Sequence, residues 1–107
     1  MRVSGIIALI LGLLATAFAH GATANSAYVA NRDNNNVSVI DLSTRTVVDT
    51  VSVGTDPTGV AITPDGSRVY VVNSGSNAVS VIDTATLVVT DTILVGLNPS
   101  DISISPD

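Results

Sequence analysis

Cysteine, glutamate, lysine and tryptophan are all missing from this 107-residue chain. Without cysteine there is no disulfide, no thiolate metal site and no covalent c-type haem attachment. Without lysine, positive charge rests on four arginines; Arg32, Arg45 and Arg68 are scattered and form no patch. The acidic residues are all Asp, and the net charge is −5. That balance disfavours nucleic acid as a partner, because phosphate contacts need Lys and Arg. The single histidine, His20, cannot build a histidine cluster. No G-x-S-x-G elbow and no phosphate-cradling Gly loop is present. The expectation is therefore no catalytic residue, no metal and no cofactor in this chain, which leans away from an enzyme.

The N-terminus carries the one long apolar run. Met1-Arg2 is a short positive start, and Ile6 to Leu14 is nearly unbroken, continued to Phe18. Ala17-Phe-Ala19 and Ala22-Thr-Ala24 are A-x-A cleavage sites. These are the three parts of a secretory signal peptide. A membrane anchor is the competing reading, but the run falls short of the ~20 residues a spanning helix needs. The sequence thus divides into a signal peptide over 1–19 (alternative end 24), a short linker over 20–25 and a repeat region over 26–107. Export to the periplasm, cell surface or exterior follows, with no anchor left after cleavage.

The repeat region is rich in Val, Thr, Ser, Asn and Gly, which is strand and turn chemistry. Tyr28 matches Tyr70, Val37 matches Val79 and Asp41 matches Asp83, always 42 residues apart. Aligning Ala27–Asp65 with Val69–Asp107 gives 19 identities in 39 positions without a gap. Four strands are expected per repeat: Thr58–Thr63, Arg68–Asn73, Ala78–Asp83 and Leu87–Val95. Pro64-Asp65-Gly66 supplies a tight hairpin turn, since Pro presets φ and Gly accepts positive φ. Asn73-Ser-Gly-Ser-Asn77 and Asp83-Thr-Ala-Thr86 supply the next two, and Gly96-Leu-Asn-Pro99 closes the unit. Apolar residues on both faces of Val69-Tyr-Val-Val fit a sheet covered on both sides. A four-stranded antiparallel unit of this length, stacked on copies of itself, is a β-propeller blade. A β-solenoid has shorter coils without hairpins, and the gapless repeat argues against an immunoglobulin-like sandwich.

Tyr28-Val-Ala-Asn31 and Tyr70-Val-Val-Asn73 resemble the tetrapeptide of the YVTN-family β-propeller repeat. The resemblance extends over Val79-Ser-Val-Ile-Asp83, Gly54-Thr-Asp-Pro57 and Thr58–Gly66, and covers essentially the whole repeat region. It implies a WD40-like disc in which Thr58–Thr63 lines the central channel and Leu87–Val95 lies outermost. Relatives include YncE-like exported proteins, cell-surface layer proteins and lactonase-like or haem-domain propellers. The residues that carry the resemblance are structural: Tyr28, Asn31, Asp41, Pro57, Pro64, Asp65, Gly66, Tyr70, Asn73, Asp83, Gly96 and Pro99.

The chain spells three strands of one blade, a full second blade, and an opening strand at Ser100–Ser105. Propellers close with about four to eight blades. Truncation is the first expectation; the alternative is homo-oligomeric assembly in which Ser100–Ser105 of one copy completes the first blade of the next. Asn31-Arg-Asp-Asn-Asn-Asn36 offers oxygen ligands for Ca²⁺ but lacks the EF-hand pattern, so a solvated turn is expected. Asp41 and Asp83, in equivalent places, are expected to cap turns rather than face the channel. Asn36-Val-Ser38 is a lone glycosylation match. The function expected is a binding or interaction scaffold for an unknown protein or surface ligand. The alternative is part of a lactonase-like enzyme whose active residues lie in other blades.

Overall fold

β-Branched residues recur at strand spacing, with Asn, Asp, Gly and Pro between them, and the backbone follows that division. The computed structural model describes residues 6–8 and 26–106. β1 is Ile6–Ala8, β2 Ser26–Asn31, β3 Asn36–Asp41 and β4 Thr46–Ser52; β5 is Pro57–Ile62, β6 Arg68–Asn73, β7 Ala78–Asp83 and β8 Val88–Leu94. They form two four-stranded sheets, each in sequence order. The second sheet is antiparallel throughout. The first repeats it from β2 to β4, with Tyr28 opposite Val39 as Tyr70 is opposite Val81. Even the irregularities repeat: one register shift falls between Val39 and Ile40, the other between Val81 and Ile82. A bulge at that point bends and twists the outer half of each blade.

One expectation needs correction, at the end of the chain. At its start, Ile6–Ala8, within the run read as a signal peptide, forms β1, which lies parallel to β2 with Ile6 opposite Ser26. The equivalent strand of the second sheet, β5, runs antiparallel to its neighbour. A short β-branched segment can satisfy an open sheet edge in either direction. The cleavage sites at Ala19 and Ala24 lie outside the described residues. Ser100–Ser105, expected as an opening strand, has no strand assignment. It runs beside β5, where the Thr58 hydroxyl donates to the Ser100 carbonyl at 3.4 Å. A strand is defined by its ladder, and no described strand pairs with this segment.

The core lies between the two sheets. Tyr28, Val37, Val39 and Val51 of the first meet Val60, Val69, Val71 and Ile82 of the second. Burying a side chain of this class stabilises by roughly 1.5–3 kcal/mol. Val72, Val79 and Val81, on the opposite face of the second sheet, are buried too. Both faces of β6 and β7 are thus covered, as the sequence suggested. The outer strands β4 and β8 are mostly exposed.

Asn35, in the left-handed region at φ 59°, holds the crossing between blades. Its carbonyl accepts the Val53 N–H at 3.1 Å, and its Oδ1 accepts the Asp56 N–H at 3.0 Å. Asn77 does the same to Val95 and Asn98, at 3.0 and 2.9 Å. Asn tolerates this backbone conformation better than most residues, and its short amide bonds locally. The crossing then docks on the β6–β7 turn: Ser74 N–H donates to the Asp56 carbonyl and Gly75 N–H to the Thr55 carbonyl, both at 2.9 Å.

Candidate functional site

The repeated tetrapeptide acts through its last residue. Asn73 ends β6 and is fully buried; its Nδ2 donates to the Ser80 hydroxyl across the ladder at 2.9 Å. In the first blade Asn31 Nδ2 donates to Ser38 Oγ at 2.7 Å and to Asn36 Oδ1 at 2.9 Å. The period of two in strands places these side chains on one face. The Asn of the tetrapeptide and the Ser of Val-Ser-Val-Ile-Asp are therefore one unit. Tyr28 is fully buried between the blades, and burial pushes its phenol up to about 12. Among the described residues its hydroxyl has no hydrogen-bond partner. Tyr70, on the outward face, is half-buried.

The aspartates sit at turns. Asp41 accepts from the Ser43 hydroxyl at 2.6 Å and the Ser43 N–H at 2.9 Å, and the hydroxyl bond, then the N–H, holds its carboxyl below the usual range. Asp83 accepts the Ala85 N–H at 2.8 Å. Asp65 accepts the Ser67 N–H at 3.0 Å and the Ser67 and Thr63 hydroxyls at 2.8 Å each. These three bonds, the N–H first, hold its carboxyl at about 2. Such bonds favour the charged form. Gly66 follows at φ 76°, and its carbonyl accepts the buried Thr84 hydroxyl at 2.7 Å. That bond ties the β5–β6 hairpin to the β7–β8 turn.

Of the remaining residues, Pro57 is buried at the start of β5, Pro64 is exposed at its hairpin, and Pro99 is half-buried. Gly96 has open space around it, whereas its repeat partner Gly54 is tightly packed. The Asn31–Asn36 run forms a turn in which the Asn34 and Asn35 N–H groups donate to the Asn31 carbonyl at 3.3 and 3.0 Å. Among the described residues, no three His, Cys, Asp or Glu side chains gather where they could hold a metal, and no helix is long and apolar enough to cross a membrane. Asn35, Asn77, Ser80 and Thr84 fall in turns and strands that the sequence reading placed, but the bonds they make were not foreseen. Only their repetition, or in Thr84 its absence, signals them.

Repeated antiparallel sheets, stacked face to face and joined by a short crossing, define a segment of a β-propeller, with an unclosed ring of about two blades. The chain belongs to the YncE-like β-propeller family, which it matches over residues 3–107. It is also similar to a chain in the solved structure of Kuenenia stuttgartiensis hydrazine synthase, with 38% identity and a TM-score of 0.73. That similarity covers 74% of this chain and 22% of the other, so the present chain spans about a fifth of its relative. No curated protein matches the chain.

Proposed function

We propose that this chain is an exported β-propeller segment that acts as a binding and interaction scaffold. The observation that carries this reading is the fate of the repeated polar side chains. Asn31, Asn73, Asp41, Asp65 and Asp83 are engaged in holding strands and turns together. What is left to meet a partner is a rigid surface, and fold alone does not specify chemistry. The partner is a protein or a surface ligand. Its contact region includes the exposed apolar side chains of the outer strands, among them Val47, Val88, Leu94 and Leu97. Apolar exposure of this kind marks interaction surfaces, and copies of the chain associate through it.

Two measurements test the reading. Expression of the full chain in a bacterial host, with mass spectrometry of the exported fraction, should show an N-terminus at His20; retention of Met1 in all fractions contradicts export. Incubation of the purified chain with a panel of small lactones should give no hydrolysis above buffer. Turnover that saturates with substrate replaces the scaffold with a hydrolase.

A further inference from the structure

Of the eight glycines in the chain, Gly66 alone follows an aspartate or an asparagine. Aspartyl-glycine is a reactive pair, because the second residue has no side chain to hinder its nitrogen. The Gly66 nitrogen can attack the Asp65 carboxyl carbon. A C–N bond forms at Cγ, and the carboxyl OH leaves with the amide proton as water, giving a five-membered succinimide. Water reopens the ring at either carbonyl. Opening at Cγ restores aspartate; opening at the backbone carbonyl leaves isoaspartate, with the main chain running through Cβ and Cγ. Water lost in closure is regained in opening, and nothing is oxidised or reduced. The other aspartates are poorer starting points: Asp41 and Asp83 precede the bulkier Leu42 and Thr84, and Asp56 precedes Pro57, which has no N–H.

We propose that Asp65 is a covalent modification site which the fold keeps silent: opened chains convert it to isoaspartate through Gly66, and the closed β5–β6 hairpin does not. The hairpin opposes each requirement of the reaction. The attacking nitrogen is engaged, since Gly66 N–H donates to the Thr63 carbonyl at 2.8 Å. That bond closes a turn in which Asp65 keeps a negative φ, the type I pattern. The carboxyl is clamped, since Asp65 Oδ1 accepts the Ser67 N–H and the Ser67 and Thr63 hydroxyls; bonds to a charged acceptor are the stronger kind. They also favour the ionised carboxyl, so the acid form, which carries the leaving OH, is scarce. Gly66 itself is buried, with its carbonyl on the Thr84 hydroxyl at 2.7 Å. Opening of the hairpin removes all of these together. Isoaspartate adds one atom to the backbone inside the turn and displaces the Gly66 carbonyl from Thr84. A modified chain therefore loses the tie between the β5–β6 hairpin and the β7–β8 turn, and the change is a durable mark of time spent open.

The test incubates the full chain at mildly acidic pH, in buffer and in concentrated guanidinium chloride. Trypsin then releases Thr46–Arg68, and electron-transfer fragmentation locates isoaspartate within it. In the unfolded chain isoaspartate should accumulate at Asp65 before any other aspartate. In the native chain the rate at Asp65 should be more than about tenfold lower, because closure needs the acid form and a free nitrogen. Ser67→Ala deletes one donor and should raise the native rate several-fold while melting stays cooperative. If that variant does not fold, the comparison of native and unfolded wild-type chain decides. Asp65→Glu, which would need a six-membered ring, should abolish the signal in guanidinium chloride. Equal rates in the native and unfolded chain, or earlier modification at another aspartate, overturn the proposal, as does a folded Ser67→Ala variant with an unchanged rate.

Discussion

Ile40 and Ile82 are the same residue in successive copies of one motif, yet they lie in different surroundings. Ile82 has no exposed surface and belongs to the core between the blades. Ile40 is half-buried, and its cross-strand neighbour Val47 is 58% exposed. Trimming each to Val removes the same methylene. At Ile82 the loss includes a buried CH₂, worth about 0.8 kcal/mol in transfer, plus a cavity, for a total of about 0.8–1.5 kcal/mol. At Ile40 solvent already reaches the group, and the loss should stay below about 0.5 kcal/mol. Larger truncation sharpens the contrast: Ile82→Ala should cost about 2–5 kcal/mol, a large part of the stability of a small domain. Urea unfolding followed by far-UV circular dichroism gives the midpoints, with an unchanged slope as the control that the unfolded state is the same. Equal midpoint shifts for Ile40→Val and Ile82→Val would refute the asymmetry, and with it the stacking of the two blades.

Three further outcomes follow from the packing and the titrating groups. Gly54→Ala should destabilise by about 1–3 kcal/mol through overpacking against Asn73, while Gly96→Ala, with nothing within 4 Å, should be neutral in the same melts. Tyr28 titrates at about 12 in the fold against 10.0 when unfolded. Above pH 10 the unfolded chain sheds a proton that the fold retains, so stability should fall between pH 10 and 12 by up to about 2–3 kcal/mol. Tyr28→Phe should remove that alkaline decline and leave stability at neutral pH unchanged or up to about 1 kcal/mol higher, because it deletes an unpaired buried hydroxyl; a loss instead would show that the hydroxyl is paired. Asp65 runs the other way: its carboxyl is held at about 2 against 3.8, so its contribution is present above pH 4 and lost as pH falls towards 2. Asp65→Asn should flatten the acid limb of the stability profile over that interval, by a modest amount because the group is exposed and solvent-screened.

The blade was legible because its signals are local and repeated. β6 and β7 begin and end where Arg68, Asn73, Ala78 and Asp83 mark them, and the Pro64-Asp65-Gly66 turn has the positive φ its Gly allows. The ends of the chain were less legible. A run such as Ile6–Ala8 is equally apolar in a leader or in a strand, so composition alone does not foretell its pairing with β2. Ser100–Ser105 copies a strand sequence at β5 yet lacks the ladder that makes one, since pairing is a property of two segments and not of one. Asn35 and Asn77 could have been noticed from their 42-residue repetition, but an Asn in a polar turn does not announce which N–H its amide will hold.

The stacking of blades separated by 42 residues is the claim on which the rest depends. The most direct measurement is a set of nuclear Overhauser contacts from the Tyr28 ring in the methyl-labelled full chain. Contacts to methyls of Val60, Val69, Val71 or Ile82 are expected, because all of these share one buried cluster with Tyr28. A Tyr28 ring that contacts only its own sheet, in a chain whose β2–β3 and β6–β7 ladders are both formed, would contradict the account.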